Sequence, residues 1–405
     1  MTGTHWLSTL WHKPQLRGDG EEERKVSWLE LFYDLVFVVV ISRLAHHLAA
    51  HPDVSGALEF VVLFIPVWWI WIGGTFYNER FETLDLSYRV FTFLQMLVVA
   101  AMAVFVEYGL SKTALGFTLS YVAARGLTTF MFWRAGWHNP VARPLTERYA
   151  LGFSLSLILW TLSAFVSGPL GLLLKGLGLA LEMGVSVSAR RIQSKLPRFS
   201  SSKLPERFGL FVIIVLGESL VGVVNGLADA AKLEAAPFVR FGLGLALSFG
   251  LWWVYFDFIG HRAPRRDVIS ASYAWSFLHL PLLMGLTAVG ATLQSAVYLK
   301  DLKYEDGAQW ILCGAFALVY LCYGLLERTL APHPEHRLEH GLEHGSTPPR
   351  RARGLREATA LLALLLPLTP LNMSGVLIGL CVLQGFNVLH AVRVWRSSAS
   401  GSHAT

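Results

Sequence analysis

What most constrains this chain is the recurrence of apolar stretches about 20 residues long, separated by polar segments that hold most of its Lys and Arg. Twelve can be read: 31–50, 56–76, 89–107, 113–134, 149–167, 169–187, 208–226, 238–260, 271–295, 308–327, 357–370 and 374–392. A helix of about 20 residues crosses the hydrocarbon of a bilayer. Helix is the state expected there, because each unpaired backbone group costs several kcal/mol in lipid. Segment 357–370 is the shortest and carries Pro367 and Pro370, so a re-entrant course is one expectation for it. Composition agrees, with 54% apolar and 15% charged residues and a mean hydropathy of +0.48, against about 45–50% and about 25% in soluble domains. A disordered chain, a collagen and a disulfide scaffold are excluded, and a soluble enzyme is disfavoured. Cys313, Cys322 and Cys381 lie in apolar runs and form no CxxC motif. The expected fold is an all-α polytopic membrane protein.

Orientation follows from the loops. With twelve spans, both termini and every even-to-odd connection share one side. That side holds nearly all the loop Lys and Arg, whereas the other holds only Lys112, Lys232, Lys300 and Lys303. Basic loops stay in the cytoplasm, so both termini are expected there. The net charge of +6 then reflects topology and contact with anionic membrane lipids and is no nucleic-acid signature. Residues 1–30 are polar and read as a cytoplasmic segment without a signal peptide; Trp6, Leu7, Leu10 and Trp11 are read as a plain tail in preference to an interfacial helix.

The two halves resemble each other. Glu30-Leu-Phe32 opens the first span and Glu206-Arg-Phe208 the seventh. Trp68-Trp69-Ile70-Trp71 matches Trp252-Trp253-Val254-Tyr255, and Phe93-Leu94-Gln95-Met96 matches Phe277-Leu278-His279-Leu280 at the same offset. The expected division is a first six-helix repeat over 31–200 and a second over 201–395, parallel to it, with a cytoplasmic loop at 328–356 and a tail at 396–405. Parallel repeats place a route or site between them.

Charges inside the spans cost roughly 2.5–3.5 kcal/mol each on insertion scales and call for a reason. Asp34 lies near the start of the first span, one turn after Glu30. Arg43 falls on the opposite helical face from Asp34 at about 100° per residue, so each needs a partner on another span. Glu218 lies deepest, about 15 Å into the seventh span, within Gly217-Glu218-Ser219. Arg125, mid-span, is expected to pair with an acid such as Glu218. Asp257, Glu182 and His279 complete the titratable set. An ion pathway is expected along Asp34, Glu218, Asp257 and His279, with Arg125, Arg43, Glu30 and Ser219 beside it, since buried acids carry protons and His titrates near neutrality. Glu107, Lys175 and Arg240 are expected to snorkel, and the Trp68, Trp69, Trp252 and Trp253 pairs to anchor at the interface. In the 328–356 loop His336, His340 and His344 recur every fourth residue, a spacing that on a helix offers one face to a divalent metal. Pro332, Pro334 and Gly341 interrupt helix there, so the loop reads as a solvated linker and no metal site is assigned.

Four motifs in order carry a resemblance. Ser27-Trp-Leu-Glu30-Leu-Phe-Tyr-Asp34-Leu-Val-Phe-Val-Val, Glu206-Arg-Phe-Gly-Leu-Phe-Val-Ile-Ile-Val-Leu-Gly217-Glu218-Ser219-Leu, Trp252-Trp-Val-Tyr-Phe-Asp257 and Leu278-His279-Leu-Pro281-Leu resemble the blocks of the bacterial low temperature requirement protein A (LtrA) family. The resemblance implies a bacterial inner-membrane protein linked by name to cold growth, and it implies no particular chemistry. The run from Leu29 to Phe37 is also similar to the start of the endolysosomal potassium channel family, although Tyr33 stands where that family has Ser. The expected function is a channel or transporter for a small ion or solute, proton-coupled through intramembrane acids. An intramembrane enzyme and a structural or sensory membrane protein are the alternatives. HExxH, GxSxG and P-loop patterns are missing, so no cofactor is expected.

Overall fold

The computed structural model describes residues 12–17, 25–81, 83, 85–197, 199–200, 202–228, 235–260, 262–265, 269–298, 302–331 and 350–401. Among them the chain is helical. Twelve longer helices run in order: α1 (Trp28–Ala50), α2 (Val54–Phe81), α3 (Leu86–Phe105), α4 (Ala114–His138), α5 (Arg143–Ser163), α6 (Pro169–Ser188), α7 (Lys203–Ala228), α8 (Ala235–Tyr255), α9 (Ile269–Tyr298), α10 (Leu302–Thr329), α11 (Arg350–Leu365) and α12 (Met373–Gly401). A one-turn helix (Arg190–Gln193) precedes α7, and a π-helical turn (Phe256–Gly260) continues α8.

Eight of the described helices, α2, α3, α6 to α10 and α12, are long and apolar enough to cross a membrane. Exposed helix faces are apolar as well, on α5 and α12 among others. Leu151, Leu155, Ile158 and Leu162 are exposed along α5, and Ile378, Val382, Phe386 and Leu389 along α12. Spaced by three and four residues, each set forms one helical stripe. Exposed apolar stripes on this scale suit lipid, not water. Helix α11 has 16 residues, about 24 Å at 1.5 Å each, short of the roughly 30 Å core. It stops before Pro367, where a 3-10 turn (Leu366–Leu368) takes over, because proline has no N–H to continue the ladder. The stretch Trp6 to Trp11 and the histidines at 333, 336, 340 and 344 lie outside the described residues.

The chain divides into two compact units. The first comprises Met1–Leu44 and Val62–Leu204, the second Ala45–Val61 and Pro205–Thr405. In the first, α4, α5 and α6 pack in sequence around an aromatic core that includes Tyr77, Phe132, Tyr149 and Phe153. Gly178 makes the α5–α6 contact possible: a Cβ there would lie 2.7 Å from Trp160 Cδ1. Small residues at such crossings are how helices approach closely where lipid supplies no hydrophobic drive. Residues 12–17 strap across the helix ends, with the His12 amide donating to Asp85 (2.8 Å) and Asn139 Nδ2 to the Pro14 carbonyl (2.6 Å). Asp85 caps α3, accepting from the Ser87 and Tyr88 amides. Burial raises the Asp85 pKa, but bonds from Thr83, Ser87, His12 and Tyr88 outweigh it and hold the carboxyl below its usual value.

In the second unit α9 packs along α10, α10 along α11, and α8 along α12. Arg356, at the start of α11's buried face, bonds Glu327 (3.1 Å) and Asn387 (2.6 Å) and covers the Phe258 ring. This residue was expected in a solvated loop; it is instead a buried cross-link of α10, α11 and α12.

Candidate functional site

The N-terminus of α1 is closed by a capping box. The Ser27 amide and hydroxyl donate to Glu30 Oε2 (3.0 and 3.1 Å), and the Glu30 amide donates back to Ser27 Oγ (3.2 Å). Ser and Glu three apart satisfy two orphan helix donors reciprocally. Lys203 Nζ lies 3.0 Å from the same carboxylate, both side chains fully enclosed. Glu30 is thus spent on structure. One turn on, Asp34 is buried and accepts from Trp71 Nε1 at 2.7 Å. Arg43 reaches Glu107 at 2.8 Å, so Glu107, expected to snorkel, is an ion-pair partner. Arg240 is also held, by Ser374 Oγ and the Ala296 carbonyl, both at 3.1 Å.

The most enclosed ion pair among the described residues is not the one expected. Arg125 Nε lies 2.6 Å from Glu182, with exposures of 1% and 0%, and not against Glu218. Glu182 Oε2 also accepts from Trp69 Nε1 (2.6 Å), while Oε1 accepts from Ser156 (2.7 Å) and Tyr121 (3.3 Å). The guanidinium stacks on Phe153, 3.9 Å from the ring centre. Gly73 gives it room, since a Cβ there would fall 2.4 Å from Nη1. Three hydrogen bonds beside the ion pair on one carboxylate offset the desolvation cost that a bare buried pair would not recover. Trp68 and Trp69 are buried within the protein, so neither presents its ring outward.

In the second unit His279 is enclosed by Phe208 and Trp275. Its Nδ1 meets the Trp275 carbonyl at 2.8 Å and its Nε2 the Tyr255 hydroxyl at 3.0 Å. A carbonyl only accepts, so Nδ1 carries hydrogen, and in the neutral ring Nε2 accepts from Tyr255. Asp257 sits on the π-helical turn and accepts from Trp253 Nε1 at 2.6 Å.

Glu218, half-buried on α7, lies at the edge of a small cavity of ≈ 10 Å³, about the room one water centre requires. The cavity is also lined by Ala45, Ser219, Gly222, Thr287, Gly290 and Gln294. Gly290 brings α9 onto α7: a Cβ there would lie 2.4 Å from Ser219 Oγ. Ser219 Oγ lies 3.4 Å from the Val215 and Leu286 carbonyls. Thr287 is 3% exposed, and its hydroxyl has no hydrogen-bond partner. Sequence reasoning missed Thr287 and Gln294, because uncharged polar residues are common in spans; their one signal is that both lie on α9 with Gly290.

Long helices with exposed apolar stripes, an enclosed ion pair in the first unit and a carboxylate-bordered cavity in the second, make a polytopic helical membrane protein. Residues 25–393 match the family described as Bacterial low temperature requirement A protein (LtrA), and the chain belongs to that family. It is also similar to an uncharacterized protein of Rhizobium meliloti (strain 1021), 26% identical over 312 residues that cover 71% of each chain.

Proposed function

We propose that this protein is a bacterial inner-membrane channel or transporter for a small ion or solute, built as two six-helix repeats with cytoplasmic termini, and that Glu218 is its working charge. The observation that carries the reading is the small polar cavity that Glu218 lines. Glu30 and Glu182 are consumed by helix capping and by Arg125. Asp34 and Asp257 each accept an indole N–H. Glu218 borders open space beside hydroxyl and amide groups. A carboxylate in a span is expensive, and one facing a polar cavity is placed to bind and release a guest. Asp34, which accepts from Trp71 near the start of α1, and His279, with both ring nitrogens engaged, are packing residues in this scheme.

The test is a flux assay on purified protein in liposomes, under a proton gradient and under alkali-cation gradients. Wild type is expected to dissipate at least one of them, and Glu218→Gln to reduce that flux by roughly tenfold or more, the scale of losing about 1.4 kcal/mol or more of interaction with the guest. Equal flux in the folded variant, or none in wild type under any gradient, refutes the proposal.

A further inference from the structure

We infer that the face shared by α5 and α6 is a binding site for one anionic phospholipid of the two-phosphate, four-chain type (cardiolipin), its phosphates held by Arg148, Arg190, Arg191 and Lys195. The inference does not depend on transport.

The first observation is where the cations stand. On α5 the exposed residues Leu151, Leu155, Ile158 and Leu162 form one stripe, and Arg148, exposed three residues before Leu151, heads it. On α6 Leu173, Leu177, Ala180, Gly184 and Val187 are exposed at alternating spacings of four and three, which keeps them on one face. Arg191, exposed four residues after Val187, ends that stripe within the helical run Pro169–Gln193, and exposed Lys195 follows four residues on. Helices α5 and α6 pack together, and Arg148 Nη2 donates to Ser188 Oγ at 2.8 Å. Both stripes therefore carry their cations at the same end. That matches the build of a phospholipid, with charge at one end and hydrocarbon along the rest.

The second is charge. Among the described residues no carboxylate pairs with any of these four cations. The Arg148 bond and that from Arg190 Nε to the Val187 carbonyl (2.9 Å) steer two guanidiniums while leaving most of their N–H groups for an anion. Glu147, exposed beside Arg148, offsets one of the four charges. Guanidinium forks bind phosphate oxygens in pairs, and basic clusters at the ends of membrane helices recognise acidic head groups. Several cations at the head of two stripes suit a lipid with two phosphates better than one with a single phosphate. A second copy of the chain is the other occupant an apolar helix face invites. About a twofold axis along the membrane normal it would bring the two Arg190–Arg191 ends together, and like charges repel. An anionic lipid meets no such cost.

The third is length and room. From Arg148 to Leu162 the α5 stripe runs about 21 Å at 1.5 Å per residue, longer than the roughly 15 Å of hydrocarbon in one leaflet. An acyl chain whose phosphate sits at Arg148 can lie along it at full length. On α6 a Cβ at Gly184 would meet nothing within 4 Å, so the helix surface lies low there, one turn below the cations.

The test is native mass spectrometry of the full chain, delipidated in detergent and titrated with cardiolipin, phosphatidylglycerol or phosphatidylcholine, with thermal unfolding read in parallel. A ligand that binds only the folded state raises Tm in a saturable way. Cardiolipin is expected to bind and raise Tm at concentrations where phosphatidylcholine does neither, and phosphatidylglycerol to need roughly tenfold more at equal phosphate, as with two fewer charge contacts. Arg148→Gln combined with Arg191→Gln is expected to weaken cardiolipin binding by about tenfold or more. Gly184→Leu fills open space on α6 and is expected to weaken it without changing any charge. Arg393→Gln removes an exposed cation of α12 and is expected to leave it unchanged. Cardiolipin binding no tighter than that of phosphatidylglycerol at equal phosphate, or weakened as much by Arg393→Gln as by the double change, means diffuse attraction and overturns the inference. Unchanged binding in the double variant does the same, as does a lipid-free dimer that Gly184→Leu dissociates, which would mean that a second copy covers the face.

Discussion

Glu182 offers the sharpest test of how the first unit is held together. Its Oε2 is ion-paired with Arg125 at 2.6 Å and accepts from Trp69 Nε1, and its Oε1 accepts from the Ser156 and Tyr121 hydroxyls. The first two groups can only donate, whereas the hydroxyls can rotate and accept. Glu182→Gln would therefore keep its carbonyl oxygen toward Arg125 and Trp69 and turn its NH₂ toward the hydroxyls. Every hydrogen bond survives, and only the charge is lost. Glu182→Leu loses the bonds as well. Removing one partner of a buried pair costs about 3–5 kcal/mol, so Glu182→Leu is expected at or above the upper end and Glu182→Gln clearly below it. Arg125→Met with Glu182→Leu removes both charges, and such double replacements are often near neutral. The double variant is thus expected to recover at least half of the Glu182→Leu loss. Unfolding in mixed micelles, titrated with denaturing detergent, measures all of these. A double variant as unstable as the sum of the single changes would refute the idea that the pair acts as a unit.

Other consequences follow from single contacts. Ser27→Ala should cost about 1 kcal/mol, the usual worth of an N-cap, read as a lower Tm, with Glu30→Gln costing more because Lys203 also loses its partner. Trp71→Phe removes the indole donor to Asp34 and should destabilise by about 1–3 kcal/mol, whereas Trp71 changes made in an Asp34→Asn background should cost less. Asp85 has a folded pKa below its unfolded one, so its contribution is complete above the unfolded range near 3.9 and fades as pH falls through the folded value. Asp85→Asn keeps a competent cap and should shrink the loss of stability below about pH 4.

The helices were the most legible part, because lipid demands long apolar runs and nothing else in the chain imitates them. The helix-ending effect of Pro367 was equally local. The Ser27-x-x-Glu30 box was there to be read as a capping pattern, yet Glu30 looked like a pathway acid because it precedes a span. Partner choice was not legible. Arg125 faces several acids at comparable depth, and only side-chain packing, with Gly73 opening room and Phe153 offering a ring face, selects Glu182. The tryptophans show the same limit. Trp69 and Trp71 are two residues apart, which on a helix points them to different sides, one to Glu182 and the other to Asp34. A belt rule based on span ends treats them alike. Thr287 was invisible for a related reason: its significance lies in a bond it does not make.

The most direct measurement of the central claim is charge movement by wild-type and Glu218→Gln protein on a solid-supported membrane, after a rapid jump in proton or alkali-cation concentration. The account predicts a transient current in wild type that disappears in the Glu218 variant and survives Asp257→Asn. Identical currents in wild type and Glu218→Gln, or a current that depends on Asp257 and not on Glu218, would contradict it.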